Sequence, residues 1–285
     1  MTLLMFGRTG QVAQEVIRLC PGIQALDRSE ADLDDPESCA AAIRDIRPDG
    51  VINAAAWTAV DAAEEEEAAA LRVNGLSPGA MAQACAALDL PLVHLSTEYV
   101  FDGHGTQAHR PSDRPDPINA YGRSKLAGEM AIRESGARHV ILRTSWVFSA
   151  HGSNFVRTML RLSETRSELS VVSDQIGGPT PAAALADACL IMLTALTGGT
   201  GRSGTYHLSG QPEVSWSDFA RAIFEMSGRP VTVRDIPTSG YPTPARRPLN
   251  SRLDCTDTER QFGIRRPDWR AGLTDVLTEL GDIRT

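Results

Sequence analysis

Residues 3–13 read LLMFGRTGQVA. Leu3 to Phe6 form an apolar run of strand length, Gly7-Arg8-Thr9-Gly10 interrupts it, and a helical pattern follows over about 11–20. A glycine-rich turn between a strand and a helix lets the backbone bend tightly and approach a pyrophosphate. The free N–H groups and dipole of the helix N-terminus then favour the anion. Ala13 occupies the third small-residue position. This order predicts a dinucleotide loop carrying Gly7, Thr9 and Gly10, and with it a parallel sheet.

The pattern repeats outward from that loop. Further apolar runs at Ile23 to Leu26, Val51 to Asn53, Leu92 to Ser96 and Val140 to Thr144 alternate with helical candidates. These lie at about 36–47, 61–88 and 120–134, the middle one broken near Gly75 to Pro78. Short apolar strands separated by helices predict an α/β fold of the Rossmann type, a doubly wound parallel sheet covered on both faces. Asp27 closes the second strand, twenty positions after Gly7, where a carboxylate accepts from ribose hydroxyls. Arg28 follows and suits a 2′-phosphate instead, so NADH and NADPH both remain open as cofactor. Asp32 and Leu33 fall on the loop expected beside the adenine. Ala54, Ala55 and Ala56 end the third strand with small side chains that a bound cofactor can press against.

After residue 150 the rhythm loosens. Residues 1–150 are expected to form the dinucleotide-binding domain and 151–285 a smaller, mainly substrate-binding α/β domain, with some segments returning to the first. Helices near 153–165 and 181–197, a strand near 169–172 and a flexible segment from Gly198 to Gly204 are predicted. Residues 237–248, PTSGYPTPARRP, hold four prolines and are expected to be irregular.

Composition excludes several classes. The net charge of −8 argues against a general nucleic-acid binder, which needs clustered positive charge. Apolar stretches are too short for a membrane span, and the N-terminal apolar run is too short for a signal peptide. Five scattered cysteines suggest neither a disulfide framework nor zinc, and a reducing cytosol is the expected location. The six histidines show no metal-ligand spacing, so no metal is assigned. The acidic run Glu64 to Glu67 reads as a solvated helix face.

Lys125 is the chain's only lysine among 28 basic residues. It stands four residues after Tyr121, one helical turn away on the same face. A phenol is a weak acid, with a reference pKa of about 10. A nearby ammonium is expected to lower that value, so that the hydroxyl can protonate an alkoxide forming beside a nicotinamide. Thr97, at the carboxyl end of the fourth strand, is placed to polarise the ketone. Strand alternation turns Ser96 away.

The chain resembles the dTDP-4-dehydrorhamnose reductases, extended short-chain dehydrogenase/reductases. The likeness runs through RPDGVINAAAWTAVD (47–61), STEYVFDG (96–103), YGRSKLAGE (121–129) and RTSWVF (143–148). It continues in NFVRTMLRL (154–162), SDQIGGPT (173–180) and YPTPARRPLNSRLD (241–254). The resemblance implies reduction of the C4 ketone of dTDP-4-dehydro-L-rhamnose by NADPH or NADH, for cell-surface polysaccharide. Thr97, Tyr121 and Lys125 match the family's catalytic trio, Tyr121 and Lys125 also meeting the cofactor. Gly10, Gln11, Val12, Asp27, Asp32, Leu33, Ala56, Trp57 and Thr58 fall on its cofactor positions. Thr97, Glu98 and Trp146 fall on substrate positions, with Asn154, Arg247 and Asn250 as further candidates. Trp146 reads equally well as a core aromatic, and Arg247 as a surface charge.

Two departures stand out. Glu98 replaces the family's usual aspartate, adding a methylene beside the sugar. Some members dimerise through magnesium held by carboxylates, and Glu15 matches one such position, but Ala183 stands at another. A monomer or weak homodimer without bridging metal is therefore expected. A sugar-nucleotide epimerase or dehydratase, and a catalytically silent regulatory subunit, are the competing readings. The intact trio argues against the latter.

Overall fold

The computed structural model describes residues 2–283. Five strands carry the first half: β1 (Leu3–Phe6), β2 (Gln24–Leu26), β3 (Gly50–Asn53), β4 (Leu92–Thr97) and β5 (His139–Thr144). They pair in the order β5-β4-β3-β1-β2, and Gly204–His207 adds a sixth strand beside β5. Every pairing in this sheet is parallel. The chain steps outward from β1 to β2, then crosses back to place β3 on the other side of β1. Ligands of open parallel sheets bind at such a reversal, outside the strands' carboxyl ends.

Alternation along each strand feeds two cores. Leu3 and Met5 of β1 join Ile52, Val93, Val140 and Leu142 on one face. Leu4 and Phe6 join Val51, Leu92 and Ile141 on the other. Successive side chains of a strand point to opposite faces, so both faces must be apolar and both must be covered. Helices Gln11–Leu19 and Ala182–Thr197 cover the first face. Helices Pro36–Ile46 and Ser77–Ala87 cover the second, joined by Ile132 of helix Ala120–Glu134.

The helical region expected over 61–88 is divided more finely than its glycine and proline suggest. Helices Ala62–Glu65 and Glu67–Leu71 lead into a π-helical turn, Arg72–Leu76, before Ser77–Ala87 begins. Gly75 in that turn faces helix Ala120–Glu134; an added Cβ there would lie 3.3 Å from Ala127 Cβ.

A third core lies in the second half. Phe148, Val156, Leu169, Phe219, Ile223, Trp269 and Leu273 bring together helices Phe155–Ser163, Trp216–Met226 and Trp269–Leu280. The segment predicted to be flexible contains a hydrogen-bonded turn. The N–H groups of Gly199 and Gly201 donate to the carbonyls of Leu196 and Ala195. Residues 237–248 contain only a single 3₁₀ turn, Thr238–Gly240. All five cysteines are free. Among the described residues no helix is long and apolar enough to cross a membrane.

Candidate active site

The carboxyl ends of β1, β3, β4 and β5 open onto one cavity of about 1040 Å³. Gly7, Thr9, Gly10, Gln11 and Val12 line its floor, with Asp27, Arg28, Asp32 and Leu33 at one end. Ala55, Ala56, Trp57 and Thr58 form a wall, and Thr97, Glu98, Tyr121, Lys125 and Trp146 close the other end. Residues far apart in sequence thus share one cleft.

The floor fits a dinucleotide. Gly7 adopts φ +104°, and a Cβ there would lie 3.3 Å from the backbone of Ala54 and Ala55. Only glycine holds this turn without strain. Around Gly10 the space is open, the nearest atom to an added Cβ being Ala54 O at 3.9 Å. Gly10 caps helix Gln11–Leu19 without a side-chain bond, so no side chain competes with an anion for the helix's first N–H groups. Gln11 also braces the loop, its Oε1 accepting from Ser149 Oγ at 3.0 Å. Asp27 accepts from Ser29 N and Oγ and pairs with Arg8 at 2.6 Å, which holds its carboxyl below the ordinary value. Arg8, which the sequence reading passed over, also meets Glu30 and so shapes this end of the cleft. Arg28 is largely exposed and pairs with Asp32 at 3.0 Å.

Helix Ala120–Glu134 positions Tyr121 and Lys125, and its own placement is over-determined. Asn119 caps it by accepting from Gly122 N at 2.8 Å, and Glu64 Oε1 accepts from Ala120 N at 2.8 Å. Glu67 takes Arg123 in a fork, at 2.7 and 3.0 Å. All four glutamates of the acidic run are exposed, as a solvated face requires, and two of them, Glu64 and Glu67, also clamp this helix. Two turns below Tyr121, buried Glu129 binds Arg143 of β5 at 2.8 and 2.6 Å. Ser96 Oγ donates to the same carboxylate, so Ser96 is turned from the reacting end as alternation predicts. Gly122 lets the helix touch the loop beneath, since a Cβ there would fall 2.1 Å from Tyr99 O.

Lys125 Nζ is buried, donating to Leu95 O at 2.7 Å and lying 3.2 Å from His94 Nε2. Behind it, Ala55 N donates to Asn53 Oδ1, so Asn53 must turn its NH₂ toward His94 Nδ1, 3.1 Å away. An amide nitrogen can only donate, so His94 Nδ1 accepts and the neutral ring carries its proton on Nε2. That N–H faces the lysine, an arrangement a neutral amine satisfies and an ammonium does not. Burial pulls Lys125 down to about 8, and it pulls His94 well below its ordinary value.

Tyr121 departs from expectation. Burial and then the Glu98 charge push its phenol up, while the adjacent Thr97 hydroxyl partly opposes them. The Lys125 amine is turned to the sheet, toward Leu95 O and His94. Thr97 Oγ1 lies 2.8 Å from Glu98 Oε2 and accepts from Tyr99 N at 3.2 Å. Glu98 is itself buried and raised to about 7, chiefly by desolvation. Two buried oxygens on the cleft wall, Glu98 Oε1 and Thr144 Oγ1, have no hydrogen-bond partner among the described residues. Unpaired buried oxygens are costly, and a polar ligand would satisfy them.

Trp146 combines its two readings. It is nearly buried and also lines the cleft, held at φ +50° and stacked on Trp216 at 3.7 Å between centroids. Trp216, on the same wall, was not anticipated; nothing in its local sequence marks it.

The remaining substrate candidates do not reach the cavity wall. Asn154 caps helix Phe155–Ser163, accepting from Arg157 N and donating to Ser149 O at 2.8 Å. Asn250 is buried, donating to Gln107 O at 2.7 Å and accepting from Arg252. Arg247 pairs with Asp61 at 2.8 Å, so its guanidinium is engaged within the protein. Elsewhere Glu15, His151 and Glu279 gather ligand atoms within 4.8 Å of one another, which the histidine spacing did not foretell. Arg18 also meets Glu15 at 2.7 Å, and His151 Nε2 lies 3.6 and 3.5 Å from Glu15 and Glu279.

Comparison with known proteins decides the family. The model for the RmlD substrate binding domain matches residues 1–281. The chain belongs to this family. It is 45% identical over 278 residues to the dTDP-4-dehydrorhamnose reductase of Sinorhizobium fredii, covering 94% of each chain. The Escherichia coli K12 enzyme of the same name is 42% identical over 293 residues, with 98% of each chain covered. Among solved structures, the Bacillus anthracis dTDP-4-dehydrorhamnose reductase in complex with NADP superposes with a TM-score of 0.92. That structure is 34% identical, covering 98% of this chain and 100% of its own.

Proposed function

We propose that this chain reduces the C4 ketone of dTDP-4-dehydro-L-rhamnose to dTDP-L-rhamnose, using NADPH or NADH. The observation that carries this reading is the convergence of Thr97, Tyr121 and Lys125 at one end of the cleft whose floor is the glycine loop. Family relatives of nearly full length bear this activity in their names. A reduced nicotinamide, when bound, supplies the hydride.

The chain's residues manage the proton and the fit. As negative charge builds on the ketone oxygen, Tyr121 gives up its hydroxyl proton to that atom. Thr97 holds the same oxygen by a hydrogen bond. Lys125, at about 8, sits near neutrality and carries the charge that offsets a phenolate once turned from Leu95 and His94. Asp27 and Arg28 lie where ribose and phosphate discrimination belongs. Trp146, Trp216 and Glu98 form the sugar-nucleotide end. The five free cysteines suit the reducing cytosol, where we place the enzyme.

The test is direct. Purified protein mixed with dTDP-4-dehydro-L-rhamnose and either reduced nicotinamide should consume the cofactor's absorbance stoichiometrically with product. No turnover with NADPH or NADH would refute the reading.

A further inference from the structure

Thr97 has one hydroxyl hydrogen and three claims on it, the neighbouring Tyr121 oxygen being one. Glu98 Oε2 lies 2.8 Å away on one side, and the cleft opens on the other. If Glu98 is a carboxylate it can only accept, and the Thr97 hydrogen is spent on it. If Glu98 is a carboxylic acid, its own O–H donates to Thr97 Oγ1, and the Thr97 hydrogen is released toward the cleft. Glu98 Oε1 meanwhile has no partner and is buried, which a neutral acid tolerates far better than a charged one.

We propose that Glu98 is a positioning residue that works protonated, aiming the Thr97 hydroxyl at the substrate oxygen. The idea rests on the ketone reduction argued above and adds a second proton that must be in place before it. Burial favours the acid form, outweighing the hydrogen bonds of Thr97 and Ser251 that support the charge. Desolvation raises the Glu98 carboxyl to about 7, and its charge, when present, pushes the Tyr121 phenol further up. Protonating Glu98 therefore orients one donor and improves the other.

The surroundings leave few rivals for this role. From β4, Thr97 is the direct partner, and from helix Ala120–Glu134, Tyr121 faces it. Ser251 lies near enough to favour the charged form without completing a hydrogen bond to Oε1. Tyr99 is the adjacent phenol, itself raised by burial and by Glu98. Arg247 and Asp61 reach Tyr99 with opposite sign and are paired to each other. Arg247 is not among the causes of the Glu98 shift.

Two measurements test the proposal. In protein carrying ¹³Cδ-glutamate, one carboxyl resonance should titrate near neutrality and be absent from Glu98→Gln. In wild type, kcat/KM should fall about tenfold per pH unit above that midpoint, as for loss of one required proton. Glu98→Gln keeps an N–H donor at every pH, so its profile should lose the limb near 7 and retain only a later one from Lys125. Glu98→Ala, with no donor, should lose activity across the whole range. A Glu98 resonance titrating only in the ordinary carboxylate range would overturn the proposal. So would a Glu98→Gln profile with the wild-type midpoint. The resonance is read without substrate, so a wild type that titrates as expected yet turns over no nucleotide sugar would refute the ketone reduction and leave the Glu98 ionisation standing.

Discussion

Lys125 Nζ stands 3.2 Å from His94 Nε2, and this contact ties the amine of the Tyr121 helix to the strand beneath it. The lysine is enclosed between a ring nitrogen and the Leu95 carbonyl, with only 2% of its surface exposed. A guanidinium is wider, planar and always charged, and it brings hydrogens where His94 also presents one. Lys125→Arg should therefore stay folded yet lose at least about a hundredfold in kcat, the lower range for a proton-transfer group. Near-normal turnover would show that the compact amine is dispensable.

The same burial leaves a signature in stability. Lys125 has a folded value of about 8 against an ordinary 10.5. Between these values the unfolded chain binds the extra proton, so stability rises with pH across that window and the full penalty stands below it. Lys125→Met lacks the group. The stability difference between wild type and this variant should move by about 3 kcal/mol in favour of wild type as pH rises from 7 to 10.5. Denaturant melts at both pH values measure it, and a constant difference would mean that the lysine is not depressed.

Gly122 sets how closely the Tyr121 helix approaches its neighbours. Its added Cβ would sit 2.1 Å from Tyr99 O, a backbone atom that cannot swing aside. Gly122→Ala should destabilise the protein by about 1–3 kcal/mol and lower kcat, since displacing the helix moves Tyr121. A variant with unchanged melting temperature and turnover would contradict the close contact.

Asn154 caps helix Phe155–Ser163. Asn154→Ala should cost about 1 kcal/mol of stability and leave KM for the sugar nucleotide unchanged. A raised KM at unchanged stability would return Asn154 to the binding surface.

Much of this arrangement is legible in the chain because its signals are local. Leu3 to Phe6 followed by Gly7 and Gly10 specify strand, turn and helix within a dozen residues, and Tyr121 and Lys125 meet through one helical turn. What escapes is whatever depends on partners distant in sequence. Glu64 reads as one of four solvated glutamates until the fold brings Ala120 N to it. Trp216 gains its place only by stacking on Trp146, and His94 only by standing between Asn53 and Lys125. The cap that Asn154 places on its helix is likewise seen only once the helix start is fixed. The contacts of the Lys125 amine with Leu95 and His94 escape for the same reason, since helical spacing puts two groups on one face without saying what else each one touches.

The central claim is that Tyr121 delivers the proton to the reduced ketone. The most direct measurement is single-turnover reduction of dTDP-4-dehydro-L-rhamnose by Tyr121→Phe, with cofactor binding followed separately by nicotinamide fluorescence. The variant should bind the cofactor normally and reduce the ketone about 10²–10⁴-fold more slowly than wild type. Reduction at the wild-type rate with Tyr121 replaced would contradict the account.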